Sequence, residues 1–545
     1  MIATLIGEWK QAGSSDRLAF VLVLIVSTIS VLFGLLNYPV IGHDAYVHLN
    51  WLDQFSRLRA QGIGYPRWLS DSFGGYGSPT FYFYPPLVYW YASFLYSFGI
   101  HSAELLYNVV QLSFGLLSVL AAGVLLRRYS PSVLRTVTGA MLYAFVAYHF
   151  GNVYVRDALT EHAALAFFPL LFIQGKDKLR TIAISAIGWS GLLLTNLPIS
   201  YLAVISTAVV IIVRRSFPSI LNQLSGFAIA ILVGAIYLLP AFSFRGLIHQ
   251  RHLFDLPMNA SLFGYALLDL FRGHLDWLRI LSVSTVIAAL IAIFATWRLR
   301  SSSGLQPWIW LLIIGVFFQL PFISKQFWQF IPGMPFVQFG WRWNGILLLA
   351  LAIIYVRERH SLVHCTIIGL ALVSLLSELT LSRNLFAQPR LPINAYRMDA
   401  PEYATKWAAN DPNEVLGITL RWMNEPTVVP LGITMPGDSI NLVSHTAIDK
   451  DYHVHLARQT PVRFHQFYWP YWRINRAREE IVTTPDPNGF ATAVLPAGDY
   501  LITLKLYESP SEDNGAVASK VGIGILILLV GTAAYRSITT RREAT

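Results

Sequence analysis

Three stretches of this chain hold reactive side chains at spacings that suggest joint chemistry. The first is G-H-D-A-Y-V-H-L-N-W from Gly42 to Trp51, followed by Y-P-R-W and then G-G-Y-G-S-P-T-F-Y-F-Y-P-P-L, ending at Leu87. It supplies a carboxylate (Asp44), two imidazoles (His43, His48) and a guanidinium (Arg67). Asp44 and His48 are four apart and share a face if the segment is helical. With His43 they form a trio able to bind a divalent metal, although interfacial hydrogen bonding is the simpler use of the histidines. A carboxylate beside the membrane is usually functional or paired. For Asp44 the structural alternatives are a helix cap or a salt bridge to Arg67.

The second stretch is N-V-Y-V-R-D-A-L-T-E-H-A-A-L, Asn152 to Leu165, with Arg156, Asp157, Glu161 and His162. Acids often cap a helix N-terminus, but four ionisable groups beside an apolar helix exceed what a cap needs. The third is P-G-M-P-F-V-Q-F-G-W-R-W-N-G, Pro332 to Gly345, where Gln338, Trp341, Arg342, Trp343 and Asn344 open an apolar run. An arginine between tryptophans is either a snorkelling anchor or a bidentate ligand for a lipid phosphate. Further along, Arg245, His249, Arg251, His252, Arg272 and His274 make a loop basic where cations are expected to be few, a hint of an anionic ligand. The aromatic run Phe81–Tyr84 reads as a packing wedge, with stacking on a sugar ring as the alternative.

The elements that position these residues are membrane helices. The chain has 545 residues, 54% hydrophobic and only 13% charged. A soluble domain carries about 25% charged residues, so the composition is that of a polytopic membrane protein. The formal charge of +10 comes from short clusters between apolar runs. That is a topology signal, and a nucleic-acid partner is excluded. The single cysteine, Cys365, rules out an intrachain disulfide. Leu18–Leu36 is long enough to be a retained first span and lacks a cleavage pattern after it.

Apolar runs predict about twelve crossings, near 18–38, 104–126, 133–150, 162–175, 181–195, 198–213, 223–243, 279–297, 307–324, 341–356, 362–381 and 519–536. Pro86–Ile100 is too short to cross and reads as an interfacial helix. With it lying flat, all seven basic groups fall on the cytoplasmic side, from Lys10 and Arg17 to Arg536, Arg541 and Arg542. Both termini are then cytoplasmic, and the three reactive stretches face outward. The expected organisation is a transmembrane domain over 1–381, with its first outer loop at 42–100. An extracytoplasmic β-rich domain over 382–518 follows, then a last span and basic tail over 519–545. Alternating runs at Tyr452–Leu456 and Tyr500–Tyr507, the second after the turn L-P-A-G-D, predict a small antiparallel sandwich or jelly roll with a mixed lead-in at Pro401–Asn410. The fold class is therefore mainly α: a helix bundle with juxtamembrane helices in its first loop and a small β-rich domain.

No phosphate-binding loop, dinucleotide fingerprint, H-E-x-x-H or G-x-S-x-G is convincing in this chain. The H-D-A-Y-V-H-L-N-W opening, P-R-W, Y-G-S-P-T-F-Y-F-Y-P-P-L and Q-F-G-W-R-W instead resemble the bacterial membrane proteins called 6-pyruvoyl-tetrahydropterin synthase-related. Those are similar to the GT-C superfamily of integral-membrane glycosyltransferases, which use polyprenyl-phosphate sugars. The resemblance covers about the first 360 residues, and Y-W-P-Y-W-R-I with L-P-A-G-D-Y-L-I-T-L resembles the β-domain endings of related enzymes. It implies an essential acid in the first outer loop, matched by Asp44, and a second acid, for which Asp157 and Glu161 are the candidates. It implies inverting transfer at the outer face of the cytoplasmic membrane, from a lipid-phosphate sugar to an envelope glycan, lipid or protein. Asp44 would be the general base, Arg342 and Arg156 would stabilise the leaving phosphate, and His48, Arg67, His162, Gln338 and Trp341 would bind substrate. No cofactor is required, and a divalent metal is optional. The rival readings are a transporter or lipid flippase and a non-catalytic glycan-binding scaffold. Transport is disfavoured because the ionisable residues gather at the outer ends of the spans.

Overall fold

A continuous apolar run leaves the backbone in lipid no choice but to bond to itself. In a computed structural model of the chain, each of the twelve runs lies largely on helix. The structure describes residues 2–36, 42, 44–175, 177–249, 277–298, 303–385, 399–408, 415, 428–431 and 435–543. His43 and the basic residues Arg251, His252, Arg272 and His274 lie outside them.

The helices used below are α1 (Ile2–Gln11), α2 (Ser14–Leu36), α3 (Ala45–Ala60), α4 (Leu87–Ser97), α5 (Ala103–Leu126), α6 (Val133–Phe145), α7 (Tyr148–Tyr154) and α8 (Leu159–Phe167). They continue as α9 (Lys178–Leu193), α10 (Leu197–Arg214), α11 (Phe217–Phe244), α12 (Trp277–Arg298), α13 (Gln306–Phe318), α14 (Pro321–Phe330), α15 (Trp343–Arg357), α16 (Ser361–Leu385) and α17 (Pro510–Glu543). Among the described residues seven helices are long and apolar enough to cross a membrane alone, or eight if α13 and α14 make one broken span. The sequence predicts about twelve. The difference lies in α6, α8, α9, α13 and α15, which are helical but run for only 13, 9, 16, 13 and 15 residues. Such helices are wrapped by their neighbours: from Trp343 to Val356 every residue of α15 is buried.

The first loop folds as a lid of short elements. α3 buries Trp51, Leu52 and Phe55, and two single-turn helices, Ser72–Gly75 and Thr80–Phe83, lead into α4. At 11 residues α4 is shorter than a crossing. The run Phe81–Tyr84 packs inward, with Phe81 against Phe55 and Tyr89 at 4.7 and 4.6 Å between ring centres and Tyr84 against Trp51 at 4.6 Å.

The C-terminal half builds two antiparallel sheets. One has the order β1 (Val428–Pro430), β4 (Thr460–Phe467), β8 (Phe490–Leu495), β7 (Thr484–Pro485). The other runs β2 (Ser439–His445), β3 (Asp449–Leu456), β9 (Gly498–Leu506), β5 (Trp472–Arg476), β6 (Glu479–Val482). The two alternating runs of the sequence are β3 and β9, paired with Tyr452 opposite Ile502. The sheets share one apolar core with the first loop. Tyr76 stacks on His465 at 4.0 Å, its carbonyl accepts the Phe467 N–H at 2.7 Å, and Trp68 meets Trp472 edge-on at 5.7 Å.

α17 closes the chain against α11. Gly515 and Gly522 bring backbone against backbone: a Cβ on either would lie 2.6 or 2.5 Å from α11 main-chain atoms. This is the small-residue packing by which helices associate in lipid. At the head of α17, Glu512 pairs with Arg67 of the first loop at 3.3 Å, both side chains buried.

Candidate functional site

The first and second reactive stretches are stitched together by backbone. The Asp157 carboxylate accepts the Gly42 N–H at 2.7 Å, and the Arg156 carbonyl accepts the Asp44 N–H at 3.0 Å. Only glycine fits at position 42, where a Cβ would lie 2.1 Å from the Asp157 carboxylate and 2.6 Å from the Val155 carbonyl. Asp157 also accepts the Tyr107 hydroxyl at 3.0 Å. Burial, opposed by those two bonds and reinforced by the nearby charge of Asp44, pushes the Asp157 carboxyl up to about 8.

This stitch places Asp44 at the N-cap of α3, half-buried, with no side-chain capping bond. Neither structural alternative for Asp44 holds: it does not cap α3, and Arg67 is engaged by Glu512, by the Ile236 carbonyl at 3.2 Å and by the face of Tyr65 at 4.2 Å. Arg67 thus ties the first loop to α11 and α17 and stands apart from the other guanidinium groups named in the sequence. His48 lies one turn after Asp44, buried, with Nδ1 at 2.8 Å from the Tyr89 hydroxyl and its ring among Trp51, Tyr84 and Tyr89. Burial, partly opposed by the Asp44 charge, pushes it down to about 4, so it is a neutral imidazole at pH 7. Among the described residues no three His, Cys, Asp or Glu side chains converge as a metal site.

The second and third stretches meet at Glu161. Its buried carboxylate accepts Arg156 Nη1 and Arg342 Nε, each at 2.9 Å, and the Tyr148 hydroxyl. Arg156 also bonds to Asn152 Oδ1 at 2.6 Å; Arg342 bonds to the Val337 carbonyl at 2.6 Å and Gln338 Oε1 at 3.0 Å. Phe339 and Trp341 stack at 4.5 Å, and the Arg156 guanidinium lies 5.7 Å from both ring centres. Within the knot two guanidinium groups share one carboxylate, an excess of one positive charge on which the nearby charge of Asp44 also acts. Two buried donors beside it, Asn152 Nδ2 and Trp341 Nε1, have no hydrogen-bond acceptor among the described residues. His162 turns the other way, with Nε2 3.1 Å from the Gln111 carbonyl and its ring 5.8 Å from His149, at a small interior cavity that Ser30 and Tyr154 also line.

One more part of the site lies at the start of the mixed lead-in to the sheets. In D-A-P-E-Y, Asp399 accepts the Trp51 indole N–H at 2.6 Å and the Thr80 hydroxyl at 3.1 Å. Tyr403 packs 5.9 Å from both Trp51 and Tyr84. Between them, in a 3-10 turn, Glu402 feels the charge of Asp44. The Tyr84 phenol is bonded to Thr160 at 2.8 Å and feels the charges of Asp44, Arg342 and Glu402. Two acids flanking a proline ahead of a tyrosine were the only signal in the sequence.

No family model and no curated protein sequence matches this chain. Among solved structures, it is similar to the cryo-EM structure of the arabinofuranosyltransferase AftD from Mycobacteria, with 14% identity and a TM-score of 0.42. The match covers 69% of this chain and 27% of that one, so this chain spans about a quarter of that protein's length.

Proposed function

We propose that this chain is an inverting membrane glycosyltransferase that moves a sugar from a polyprenyl-phosphate donor to an acceptor hydroxyl. One observation carries the reading: an acid that neither caps its helix nor meets Arg67 lies beside a buried cluster with one excess positive charge and two unanswered donors. A carboxylate next to an anion hole is the pairing that displacement of a phosphate requires.

In this reading Asp44 removes the proton of the acceptor hydroxyl as its oxygen bonds to the sugar C1. The bond from C1 to the phosphate oxygen breaks, and its electron pair leaves with polyprenyl phosphate. That group departs without needing a proton, so cations suffice; Arg156 and Arg342 supply them, with Asn152 and Trp341 as further donors. Glu161 holds the two guanidinium groups together, Gln338 fixes Arg342, and Asp157 holds Gly42 and so positions Asp44. The basic clusters put both termini in the cytoplasm and this end of the bundle outside the cytoplasmic membrane. Nucleotide sugars are absent there, and a lipid carries the donor.

The test is complementation of a deletion strain of the native host, read by sugar analysis of its envelope glycans. Wild type restores the lost sugar. Asp44→Asn inserts and folds but drops transfer by about 10²–10⁴-fold. Full restoration by Asp44→Asn removes the base from the reading, and an unchanged glycan in the deletion strain removes the function.

A further inference from the structure

We propose that a pocket between the 3-10 turn after α8, α10 and α11 binds an anionic glycerophospholipid of the inner leaflet, with its phosphate on Arg214 and its ester region at Thr207. The basic clusters assign this end of the bundle to the cytoplasmic side. The pocket is separate from the Glu161 knot and does not depend on the transfer chemistry proposed there.

A short helix leaves room for the pocket. α8 runs for 9 residues and continues as a 3-10 helix of 5, Phe168–Phe172. At about 1.5 and 2.0 Å per residue the two reach roughly 24 Å, short of the roughly 30 Å of a hydrocarbon core. The pocket lies where they stop. Phe172 and Val210, both buried, give it apolar walls, while Gln174 and Arg214 stand at the helix ends as its polar rim. Gln223 closes one side and is used by its own elements: its amide donates to the Leu171 carbonyl at 2.6 Å, and its oxygen accepts Ser185 Oγ and Trp189 Nε1, each at 2.9 Å.

Two groups on α10 lack the partners their chemistry calls for. Arg214 donates to the Tyr129 hydroxyl at 2.7 Å, and that oxygen also accepts Trp308 Nε1 at 2.9 Å. Both lone pairs of the phenol are then filled, and its own proton needs an acceptor beyond these two groups. Among the described residues no carboxylate pairs with Arg214. Exposed cations crowd the same end: Arg128 beside Tyr129, Lys178 and Arg180 at the start of α9, and Arg215 after α10. Partial burial and the charge of Arg180 push Arg128 below the ordinary guanidinium range. The second group is Thr207, which is 6% exposed and whose hydroxyl has no hydrogen-bond partner among the described residues. A serine or threonine inside a helix can donate to the carbonyl four residues back. Ser206 does so, to Leu202 at 2.8 Å, and Thr207 does not. Thr207 and Arg214 are seven apart, hence on one face and about 10 Å apart along the axis. A ligand that answers both carries an anion at the rim, a neutral acceptor further in and an apolar chain along Phe172 and Val210. A glycerophospholipid has that order of phosphate, ester carbonyl and acyl chain, and basic pockets between membrane helices suit such headgroups. Free phosphate supplies only the anion, and an arginine that merely snorkels needs neither a pocket nor a deep hydroxyl.

The experiment uses the full chain, purified in detergent and stripped of lipid. Binding of dioleoyl-phosphatidylglycerol is followed by native mass spectrometry and by the rise in melting temperature. Dioleoyl-phosphatidylcholine, glycerol 3-phosphate and inorganic phosphate are the comparison ligands. Phosphatidylglycerol is expected to bind about tenfold more tightly than phosphatidylcholine, less so at high salt, and the two soluble phosphates to give no shift. Arg214→Gln should weaken phosphatidylglycerol about tenfold and bring it level with phosphatidylcholine. Thr207→Val, similar in size but without the hydroxyl, should weaken both lipids about threefold, and Thr207→Ser should bind like wild type. Arg180→Gln removes a charge outside the pocket and should change binding by less than about twofold. Equal binding of the two lipids by wild type overturns the proposal. So do equal losses in Arg180→Gln and Arg214→Gln, which would mean diffuse attraction to the surface. A shift with either soluble phosphate as large as with phosphatidylglycerol makes this a free-phosphate site and overturns the lipid. If Arg214→Gln does not fold, the Thr207 variants still decide, because equal binding by the Val and Ser forms removes the ester contact and the proposal with it.

Discussion

Two knots of charge sit at opposite ends of the helical body, and they are built from the same residue types to different ends. At one end Asp16 accepts His364 Nε2 at 2.8 Å and lies 3.3 Å from Arg135 Nε. Arg135 reaches on to the carbonyls of Tyr355 and Glu358 and lies over the Tyr355 ring at 4.9 Å. This ties the starts of α2, α6 and α16 to the end of α15, and the guanidinium answers carbonyls that every helix C-terminus leaves open. At the other end, Arg156 and Arg342 share Glu161 and are covered by aromatic rings, and two donors nearby remain unanswered. The first knot sets one guanidinium against one carboxylate, and its one buried donor without a hydrogen bond, Arg135 Nε, still lies 3.3 Å from that carboxylate. The second sets two guanidinium groups on one carboxylate, and its unanswered donors, Asn152 Nδ2 and Trp341 Nε1, belong to neither guanidinium; that surplus marks a place for an anion.

The sharpest way to break this contrast is Glu161→Gln. Removing the shared carboxylate leaves two buried guanidinium groups facing one another, and breaking a buried pair this way costs about 3–5 kcal/mol. We expect a large drop in melting temperature in detergent and loss of transfer. Farnesyl phosphate should restore part of the stability, because a ligand that binds only the folded state adds to it. If farnesyl phosphate stabilises neither wild type nor the variant, the surplus does not mark a phosphate site.

Asp16→Asn is the matched change at the opposite end. A charge-assisted bond is worth about 1.5–3 kcal/mol, and the Asp16 side chain is 20% exposed, so a loss near the low end, about 1–2 kcal/mol, is expected. Farnesyl phosphate should give no rescue beyond its effect on wild type, and transfer per folded molecule should be unchanged. A fall in specific activity here would mean that the two ends are coupled.

The sequence exposes these regions unequally. The first loop could be read because its chemistry is local: acid, histidine, turn and aromatic run lie within one stretch, and its position after the first apolar run needs only hydropathy. The strands β3 and β9 were readable for the same reason, from period-two alternation. The meeting of Arg342 with Glu161 spans 181 positions, and nothing in either stretch names the other; packing decides it. The pairing of Arg67 with Glu512 is equally invisible, since an arginine in a Y-P-R-W motif offers no hint that its partner heads the last helix. Glu402 was hidden because its turn has neither helical nor strand periodicity and takes its meaning from Trp51 and Tyr84. The count of apolar runs and the count of long helices differ at α6, α8, α9 and α15, and at α13 unless it joins α14, because an apolar run reports burial, and burial in protein looks like burial in lipid.

The smallest predicted effect tests whether charge imbalance alone carries the contrast. Arg57 meets Asp53 at 2.9 Å and Asp71 at 2.8 Å, so this cluster on the outer face of α3 also has unmatched charge, here negative. The difference is solvent. The Arg57 side chain is 38% exposed, and water and salt screen what Glu161 must balance alone. Replacing Arg57 with Met should cost about 0.2–1 kcal/mol, less at high salt, and leave transfer unchanged. A larger loss of stability would show that Arg57 fastens the end of α3 to the turn at Asp71. A loss of transfer would show that exposed imbalance matters as much as buried imbalance, and the distinction between the two ends would then have to rest on the unanswered donors alone.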